Sequence, residues 1–247
     1  MLKKSASSAP NKPSNIKALT FDVFGTVVDW RSSIIFEGGQ LHLNWGWDLN
    51  WAEFADRWRG MYQPSMEEVR TERRSWEILD TLHRESLEQL LEEFGCEGIG
   101  EDRIDHLNRM WHRLKPWPDA VGGLLRMKKR FILATLSNGN VALLVNMAKN
   151  SGIPWDAVLG AEVARSYKPM PNTYLITAIM LGLEPGNCLM VAAHNQDLQA
   201  ASKLGFQTAF VRRPSEYGPD QKNDLEAEAD YDFMAHDFLE LAGQLNC

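Results

Sequence analysis

Cysteines and long apolar runs are both scarce in this chain of 247 residues, and each shortage narrows the class of protein. The three cysteines (Cys96, Cys188 and Cys247) are odd in number and far apart. This pattern favours a reducing compartment over a disulfide framework or a cysteine-bound metal cluster. No apolar run is long enough to cross a bilayer. We therefore predict a cytoplasmic protein with no membrane partner.

The chain also lacks an excess of positive charge. It contains 26 Lys and Arg against 33 Asp and Glu, which gives a formal net charge of -7. The basic residues are scattered, apart from a short group at 126–130 that is typical of a helix C-terminus. Nucleic-acid binding depends on clustered positive charge, so we predict no nucleic-acid partner.

Hydrophobic patterning divides the chain into three parts. Residues 1–15 are rich in Lys, Ser and Pro without an apolar segment, which predicts a disordered tail and not a signal peptide. Residues 32–114 show no convincing strand but contain helical patterns at 51–61 and 75–94. We predict that this part is a helical cap domain inserted into an α/β core made of residues 16–31 and 115–247.

The core shows alternating strand and helix patterns. The predicted strands are 16–23, 131–136, 158–161, 188–192, 207–211 and a short one within 231–245. The predicted helices between them are 119–129, 141–151, 172–181 and 198–204, with a further helix near the end of the chain. Such alternation is typical of a mostly parallel sheet with helices on both faces.

Polar side chains follow several of these strands or precede a helix. In chain order they are Asp22 with Thr26, Ser137 with Asn138, Lys168, and Asp197. Because the carboxyl ends of parallel strands meet at one edge of a sheet, we expect these side chains to converge on one crevice. Each has a plainer interpretation when taken alone, since an Asp after a strand is usually a turn or capping residue. Their joint occurrence favours an active site.

Together these segments resemble the motifs of the haloacid dehalogenase superfamily, and specifically its L-2-haloacid dehalogenase (type II) branch. The matching stretches are FDVFGT, LSNG, SYKPMPNTY and VAAHNQD, and the helical segment resembles the family's cap domain. The resemblance covers nearly all of the chain beyond residue 16. It implies a Rossmann-like core with an inserted cap, no cofactor, and a homodimer.

Two acids that the superfamily's phosphatases use are missing. The position two residues after Asp22 is Phe24, and the position four residues before Asp197 is Ala193. Phosphoryl transfer depends on a divalent ion to neutralise charge, and these acids would help to hold it or would protonate the leaving group. Displacement of a halide from carbon needs neither acid. We therefore predict metal-independent chemistry at carbon.

The resemblance implies hydrolysis of short anionic 2-haloacids to 2-hydroxy acids, with water as the second substrate. Asp22 would displace the halide and form an ester that water then cleaves. Lys168 would supply the opposing charge and Thr26 would orient Asp22. Asp197 would position the water or hold Lys168 in place.

Other residues are expected to contact the substrate. The resemblance assigns Ser137 and Asn138 to the substrate carboxylate and Arg59, in the cap, to the departing halide. A surface arginine on a helix is the alternative for Arg59. Tyr174 matches a family tyrosine near the substrate, and a half-buried aromatic residue on a helix is the alternative there.

The last motif departs from the type II pattern. Ala192-Ala193-His194 stands where familiar members have Ser-Ser-Asn, and Phe24 stands where they have Tyr. We hypothesise that His194 lies in the site and makes the leaving-group pocket smaller and richer in donors. Such a pocket would favour a small halide, including fluoride from fluoroacetate. The alternative is a histidine that only caps the following helix.

Two other functions stay open on the sequence. The chain could be another hydrolase of this fold, with a different leaving group or phosphatase activity, or a non-catalytic binding protein that kept the fold. Halide release from 2-chloropropionate without Mg²⁺ separates the first from a dehalogenase. A binding protein would be inert towards haloacids and indifferent to Asp22→Asn.

Overall fold

The computed structural model describes residues 15–96 and 98–247, except for the side chains of 42–44. The predicted tail, apart from Asn15, lies outside the described residues. The strands are β1 (Ala18–Phe21), β2 (Val28–Asp29), β3 (Lys115–Pro116), β4 (Ile132–Thr135), β5 (Cys188–Ala192), β6 (Gln207–Val211) and β7 (Phe233–Ala235). Five of them form a parallel sheet in the order β4-β1-β5-β6-β7.

The two central strands have the composition that burial on both faces requires. β1 and β5 read ALTF and CLMVA, and every residue of both is buried. Their register aligns Phe21 with Val191 on one side and with Thr135 of β4 on the other. The residues that follow these three strands therefore leave the sheet at the same edge.

Helices cover the sheet and fill the segment between β2 and β3. They are α1 (Trp30–Trp45), α2 (Trp51–Arg70), α3 (Leu79–Glu93), α4 (Glu101–Asn108), α5 (Ala120–Met127), α6 (Val141–Ser151), α7 (Ala161–Ala164), α8 (Pro171–Met180), α9 (Asn195–Lys203) and α10 (Phe238–Gln244). Two short 3-10 helices lie at Arg109–Arg113 and Pro185–Asn187. Within the described ranges, no helix is long and apolar enough to cross a bilayer.

The predicted α/β fold is confirmed, and two local differences have a clear physical reason. The strand expected at 158–161 is wrong, because only isolated bridges form at Ala157 and Gly160 and α7 begins at Ala161. Gly160 has a φ of 132°, which takes the backbone out of the extended conformation that a strand needs. Helix α2 also continues past Pro64 to Arg70, nine residues beyond the predicted end at Met61.

The helical segment packs on the sheet edge through aromatic side chains. β2 and β3 pair antiparallel where the chain leaves the core and returns to it. Phe24, in the loop after β1, makes edge contacts with Tyr62 of α2 and Trp111, with ring centroids 6.2 and 5.9 Å apart. This buried aromatic contact fixes α2 above the carboxyl ends of the strands.

Candidate active site

Asp22 immediately follows β1 and is almost completely buried. Its Oδ1 accepts a hydrogen bond from Lys168 Nζ at 2.8 Å. Its Oδ2 accepts one from Thr26 Oγ1 at 2.7 Å and lies 3.2 Å from His194 Nδ1. The turn beyond it uses Gly25, whose φ of 83° lies in the left-handed region that glycine tolerates best. The two carboxylate oxygens thus have different surroundings.

Lys168 reaches the site from the loop before α8. Its Nζ contacts both Asp22 and Asp197, so a single ammonium group serves two carboxylates. Its backbone N–H donates to Asn138 Oδ1 at 2.8 Å, and its carbonyl accepts from Arg70 Nη1 at 3.0 Å. Residues from the core and from α2 therefore hold this loop together.

Asp197, in the first turn of α9, is bound on both oxygens. One contacts Lys168, and the other accepts a hydrogen bond from Tyr174 OH at 2.6 Å. Tyr174 is fully buried, which excludes the half-buried alternative. This geometry makes Asp197 and Tyr174 the support for the lysine.

Each charged side chain in this site shifts the pKa of its neighbours. Burial alone would raise the pKa of Asp22, but the positive charges of Lys168 and His194 outweigh burial and hold that pKa well below its usual range. Burial also opposes the charge of Lys168, yet the two carboxylates raise its pKa above the ordinary value. Burial and the nearby charge of Asp22 raise the pKa of Asp197. Asp22 is therefore ionised at neutral pH although it is buried.

His194 lies between two carboxylates. Its Nδ1 faces Asp22, and its Nε2 lies 2.9 Å from Glu216 Oε2. Burial alone would lower the pKa of His194, but Glu216 and Asp22 raise it well above the ordinary value. His194 occupies the N-cap position of α9 without a side-chain capping bond, which excludes the helix-cap alternative. Because both ring nitrogens are engaged, the expectation that His194 adds donors to a halide pocket is wrong.

Glu216 is the site residue that the sequence reasoning missed. It lies after β6, is 1% exposed, and accepts a hydrogen bond from Trp30 Nε1 at 3.0 Å in addition to its contact with His194. The available signal was its position in a loop at the carboxyl end of a parallel strand, where functional side chains collect. Nothing in its immediate sequence distinguishes it from a solvated glutamate.

Arg59 lies on the inner side of α2. Its guanidinium carbon is 4.1 Å from the ring centroid of Tyr62 and 5.4 Å from that of Trp30. Among the described residues, its buried Nη1 has no hydrogen-bond partner. The surface alternative for Arg59 is thereby excluded.

A cavity of about 500 Å³ opens above Asp22. The sequence-predicted residues that line it are Asp22, Phe24, Arg59, Asn138, Lys168, Tyr174, His194 and Asp197. Thr26 and Ser137 are fully buried behind this wall, and the Ser137 hydroxyl accepts from the backbone N–H of Gly139 at 3.1 Å. Ser137 thus shapes the loop that presents Asn138.

In the part of the chain that the structure describes, no group of three or more His, Cys, Asp and Glu side chains has a metal-binding arrangement. The cavity wall instead pairs each buried carboxylate with a cationic or hydroxyl side chain. This arrangement supplies an ionised carboxylate, an ammonium group and a guanidinium group around one space. Such a set suits nucleophilic attack by Asp22 on an anionic substrate.

Comparisons with known proteins agree with this geometry. A family model for haloacid dehalogenase-like hydrolases matches residues 16–205. An (S)-2-haloacid dehalogenase from Xanthobacter autotrophicus is 28% identical over 210 residues, covering 81% of this chain and 77% of the relative. An (S)-2-haloacid dehalogenase 4A from Burkholderia cepacia is 28% identical over 214 residues, covering 82% of this chain and 87% of the relative.

Two crystal structures are more similar. One, of an L-2-haloacid dehalogenase, has a TM-score of 0.91 and 47% identity and covers 94% of this chain and 99% of that one. The other, of a defluorinating L-2-haloacid dehalogenase, has a TM-score of 0.92 and 46% identity and covers 94% of this chain and 96% of that one. The chain therefore belongs to the haloacid dehalogenase-like hydrolases and, within them, to the L-2-haloacid dehalogenase family.

Proposed function

We propose that the protein hydrolyses short 2-haloalkanoic acids to 2-hydroxy acids through an ester on Asp22, without a metal ion. The observation that carries this proposal is the buried carboxylate of Asp22, paired with Lys168 at the floor of a cavity that Arg59 also lines. A nucleophile and a hydrogen-bond donor for the halide are then available in one space. The relatives named as 2-haloacid dehalogenases support the same assignment.

The first step joins Asp22 to the substrate. Among the described residues, Lys168 is the hydrogen-bond partner of Oδ1, whereas Thr26 and His194 both contact Oδ2. Oδ1 therefore keeps a lone pair for attack on the α-carbon. As the carbon–oxygen bond forms, the carbon–halogen bond breaks with inversion and its electron pair leaves with the halide. Arg59 donates to the departing anion.

Lys168 and Asn138 make this attack possible against charge repulsion. Asp22 and the substrate carboxylate are both negative, and the ammonium group of Lys168, which is buried with Asp22, offsets that repulsion. Asn138 lines the cavity, so its free amide N–H groups can bind the substrate carboxylate and set the angle of attack. Water then cleaves the ester and restores Asp22.

The absence of two acids supports metal independence. Phe24 cannot protonate an alcohol leaving group, and Ala193 cannot complete an acidic pair with Asp197. The ammonium group of Lys168 instead provides positive charge beside both carboxylates. Halide needs no proton to leave, so these groups suffice.

Fluoride is included among the proposed leaving groups. The defluorinating relative is 46% identical to this chain. His194 lines the cavity, and its side chain is larger than the asparagine of familiar type II members, which supports a smaller leaving-group pocket. Fluoroacetate is therefore a proposed substrate beside the chloro and bromo acids.

The test is halide release from (S)-2-chloropropionate, bromoacetate and fluoroacetate by the purified protein, with and without EDTA. We expect release that EDTA does not alter, together with the 2-hydroxy acid. A parallel assay follows phosphate release from phosphate esters with Mg²⁺. Activity on phosphate esters that depends on Mg²⁺, with no halide release, would overturn the proposal.

A further inference from the structure

The two oxygens of Asp22 are held in different ways, and we infer that this difference sets the second half of the reaction. Oδ2, which faces Thr26 and His194, is the oxygen that carries negative charge when water attacks the ester. Glu216 is the positioning residue that keeps His194 aimed and protonated for this step. The inference rests on the proposed function, because the ester must form first.

The hydroxyl group of Thr26 can donate its hydrogen bond only to Asp22. Its Oγ1 accepts the backbone N–H of Ala193 at 2.9 Å and lies 2.7 Å from Asp22 Oδ2. A hydroxyl group has one proton, and the backbone N–H cannot accept it. The proton of Thr26 therefore points at Oδ2, both in the free carboxylate and in the ester carbonyl.

His194 is a donor to the same oxygen. Both oxygens of Glu216 are acceptors, and one already takes the Trp30 N–H, so His194 Nε2 must donate to the other. A neutral imidazole with its proton on Nε2 would turn the Nδ1 lone pair towards Asp22 Oδ2. Two carboxylates at the two ring nitrogens therefore require the doubly protonated ring.

Once the ester has formed, the positive charge of His194 depends on Glu216. Before attack, Asp22 and Glu216 both stabilise the positive charge of His194. Once Oδ1 carries the alkyl group, Asp22 is neutral and no longer stabilises the positive charge of His194. Glu216 is then the remaining carboxylate in contact with His194 among the described residues. A protonated ring at this stage holds a charged donor on the carbonyl oxygen, where preorganised donors lower the barrier most.

Other charged and titratable groups around His194 act in the opposite direction or at longer range. Arg59 interacts with Glu216 and Lys168 contacts Asp22, and a positive charge near His194 disfavours a second one. Tyr217, which is 39% exposed, interacts with Arg59, and its raised pKa keeps it neutral. The charge of His194 in the ester state consequently depends on Glu216.

The hydrolytic step balances with these groups. The water oxygen bonds to Asp22 Cγ, and the electron pair of the carbonyl double bond moves to Oδ2, where Thr26 and His194 donate to it. Asp197, whose pKa burial raises, accepts a proton from the water. The pair on Oδ2 then re-forms the double bond, the Cγ–Oδ1 bond breaks, and Oδ1 leaves as the hydroxyl of the product with the proton from Asp197. The second proton of the water goes to solvent as Asp22 returns to its ionised form.

Glu216→Gln tests the inference in the full-length protein, because it removes one charge at nearly constant volume. We expect a burst of about one halide per site, then steady release slowed about tenfold or more at pH 8, which is the order of effect expected when one oxyanion donor weakens. Intact-mass analysis should show the alkyl adduct accumulating.

Steady halide release by Glu216→Gln should also fall as pH rises from about 6 to 8, because the pKa of His194 without Glu216 is closer to its ordinary value. Glu240→Gln, an identical change on α10 away from the cavity, is the control.

Thr26→Val is the second variant. It removes the other donor to Oδ2, so the adduct should again accumulate, but without the new pH dependence. The ring nitrogens of His194, followed by ¹⁵N NMR and assigned with His194→Asn, give a readout that does not depend on turnover. They should titrate at lower pH in Glu216→Gln than in the unaltered protein.

Several results would overturn the inference. Burst and steady release that fall equally in Glu216→Gln, with no adduct, would contradict a role confined to hydrolysis. An unchanged titration of His194 would contradict the positioning role even if the variant were inactive. If the unaltered protein forms no adduct and releases no halide, the proposed function itself fails. Halide release by the unaltered protein with no effect of Glu216→Gln rejects the inference alone.

Discussion

Lys168 Nζ lies 2.8 Å from Asp22 Oδ1, although 146 positions of sequence separate the two residues. Both side chains are less than 10% exposed. An ion pair this deeply buried depends on both partners, because either charge alone would be left without solvent or counter-charge. The same ammonium group also contacts Asp197, so it is the counter-charge of two carboxylates.

Replacing Lys168 with Met should therefore affect both activity and stability. Without the ammonium charge, His194 alone opposes the effect of burial on Asp22, so its pKa rises and the substrate carboxylate meets uncompensated repulsion. We expect halide release at pH 7 to fall at least about 100-fold, and the free energy of unfolding to fall by about 3 kcal/mol, the order found when a buried ion pair loses one partner. Urea denaturation and halide assays measure these effects. Full activity in the Met variant would contradict the role assigned to Lys168.

Asp22→Asn should abolish halide release, with a loss of at least about 10³-fold, because an amide does not act as the nucleophile in covalent catalysis of this kind. The side chain keeps its size, so the fold should be retained in circular dichroism spectra. No alkyl adduct should form in intact-mass spectra. Adduct formation at another residue would show that Asp22 is not the nucleophile.

Arg59→Leu should slow halide release, with a larger effect on fluoroacetate than on bromoacetate. Arg59 lines the cavity and is the donor proposed for the departing halide, and fluoride gains more than bromide from a hydrogen-bond donor. We expect a loss of about 100-fold for fluoride release, the order expected when a preorganised donor is removed. Ion chromatography with both substrates measures the ratio.

Arg57→Leu is the matched control for that variant. Arg57 lies two positions earlier on α2, is 57% exposed on its side chain, and pairs with Glu93 at the surface. It should leave both rates unchanged. Equal losses for the two halides in Arg59→Leu would place Arg59 on the substrate carboxylate instead.

His83 should make the protein sensitive to acid. Its two ring nitrogens are buried and have no partner among the described residues, and burial lowers its pKa to about 3. Between the unfolded value of about 6.5 and that lower value, the unfolded chain binds a proton that the folded protein does not. Stability from this residue is therefore lost as pH falls below 6.5, at about 1.4 kcal/mol per pH unit.

His83→Leu tests this dependence. The leucine keeps an apolar contact with Trp111, whose ring stacks on His83 at 4.4 Å, and cannot bind a proton. We expect the unfolding free energy of the variant to fall less steeply between pH 6.5 and 4 than that of the unaltered protein. Parallel curves from urea denaturation would show that His83 is protonated in the folded state.

The alternation of strands and helices in the core follows from hydrophobic pattern, and it predicted the parallel sheet correctly. The strand predicted at 158–161 does not form for a local reason. Gly160 has a positive φ and packs closely against the backbone of Ser137, and this contact exists only in the folded protein. The length of helix α2 was underestimated, since Pro64 lies inside it and proline usually ends a helix. Burial of Tyr62 and Met66 on either side of Pro64 stabilises the helix in spite of that preference.

Several site residues could be predicted because each follows a strand or opens a helix at a fixed spacing. By itself the sequence determined that Asp22, Asn138, Lys168 and Asp197 meet at one sheet edge, since parallel strands with right-handed crossovers leave few other arrangements. It also excluded the acids of phosphatase chemistry. What only the tertiary structure decided is the second charge pair. Glu216 meets His194 across 22 positions, and Arg59 turns inward from α2, because aromatic packing and burial bring them there and no local pattern encodes that approach.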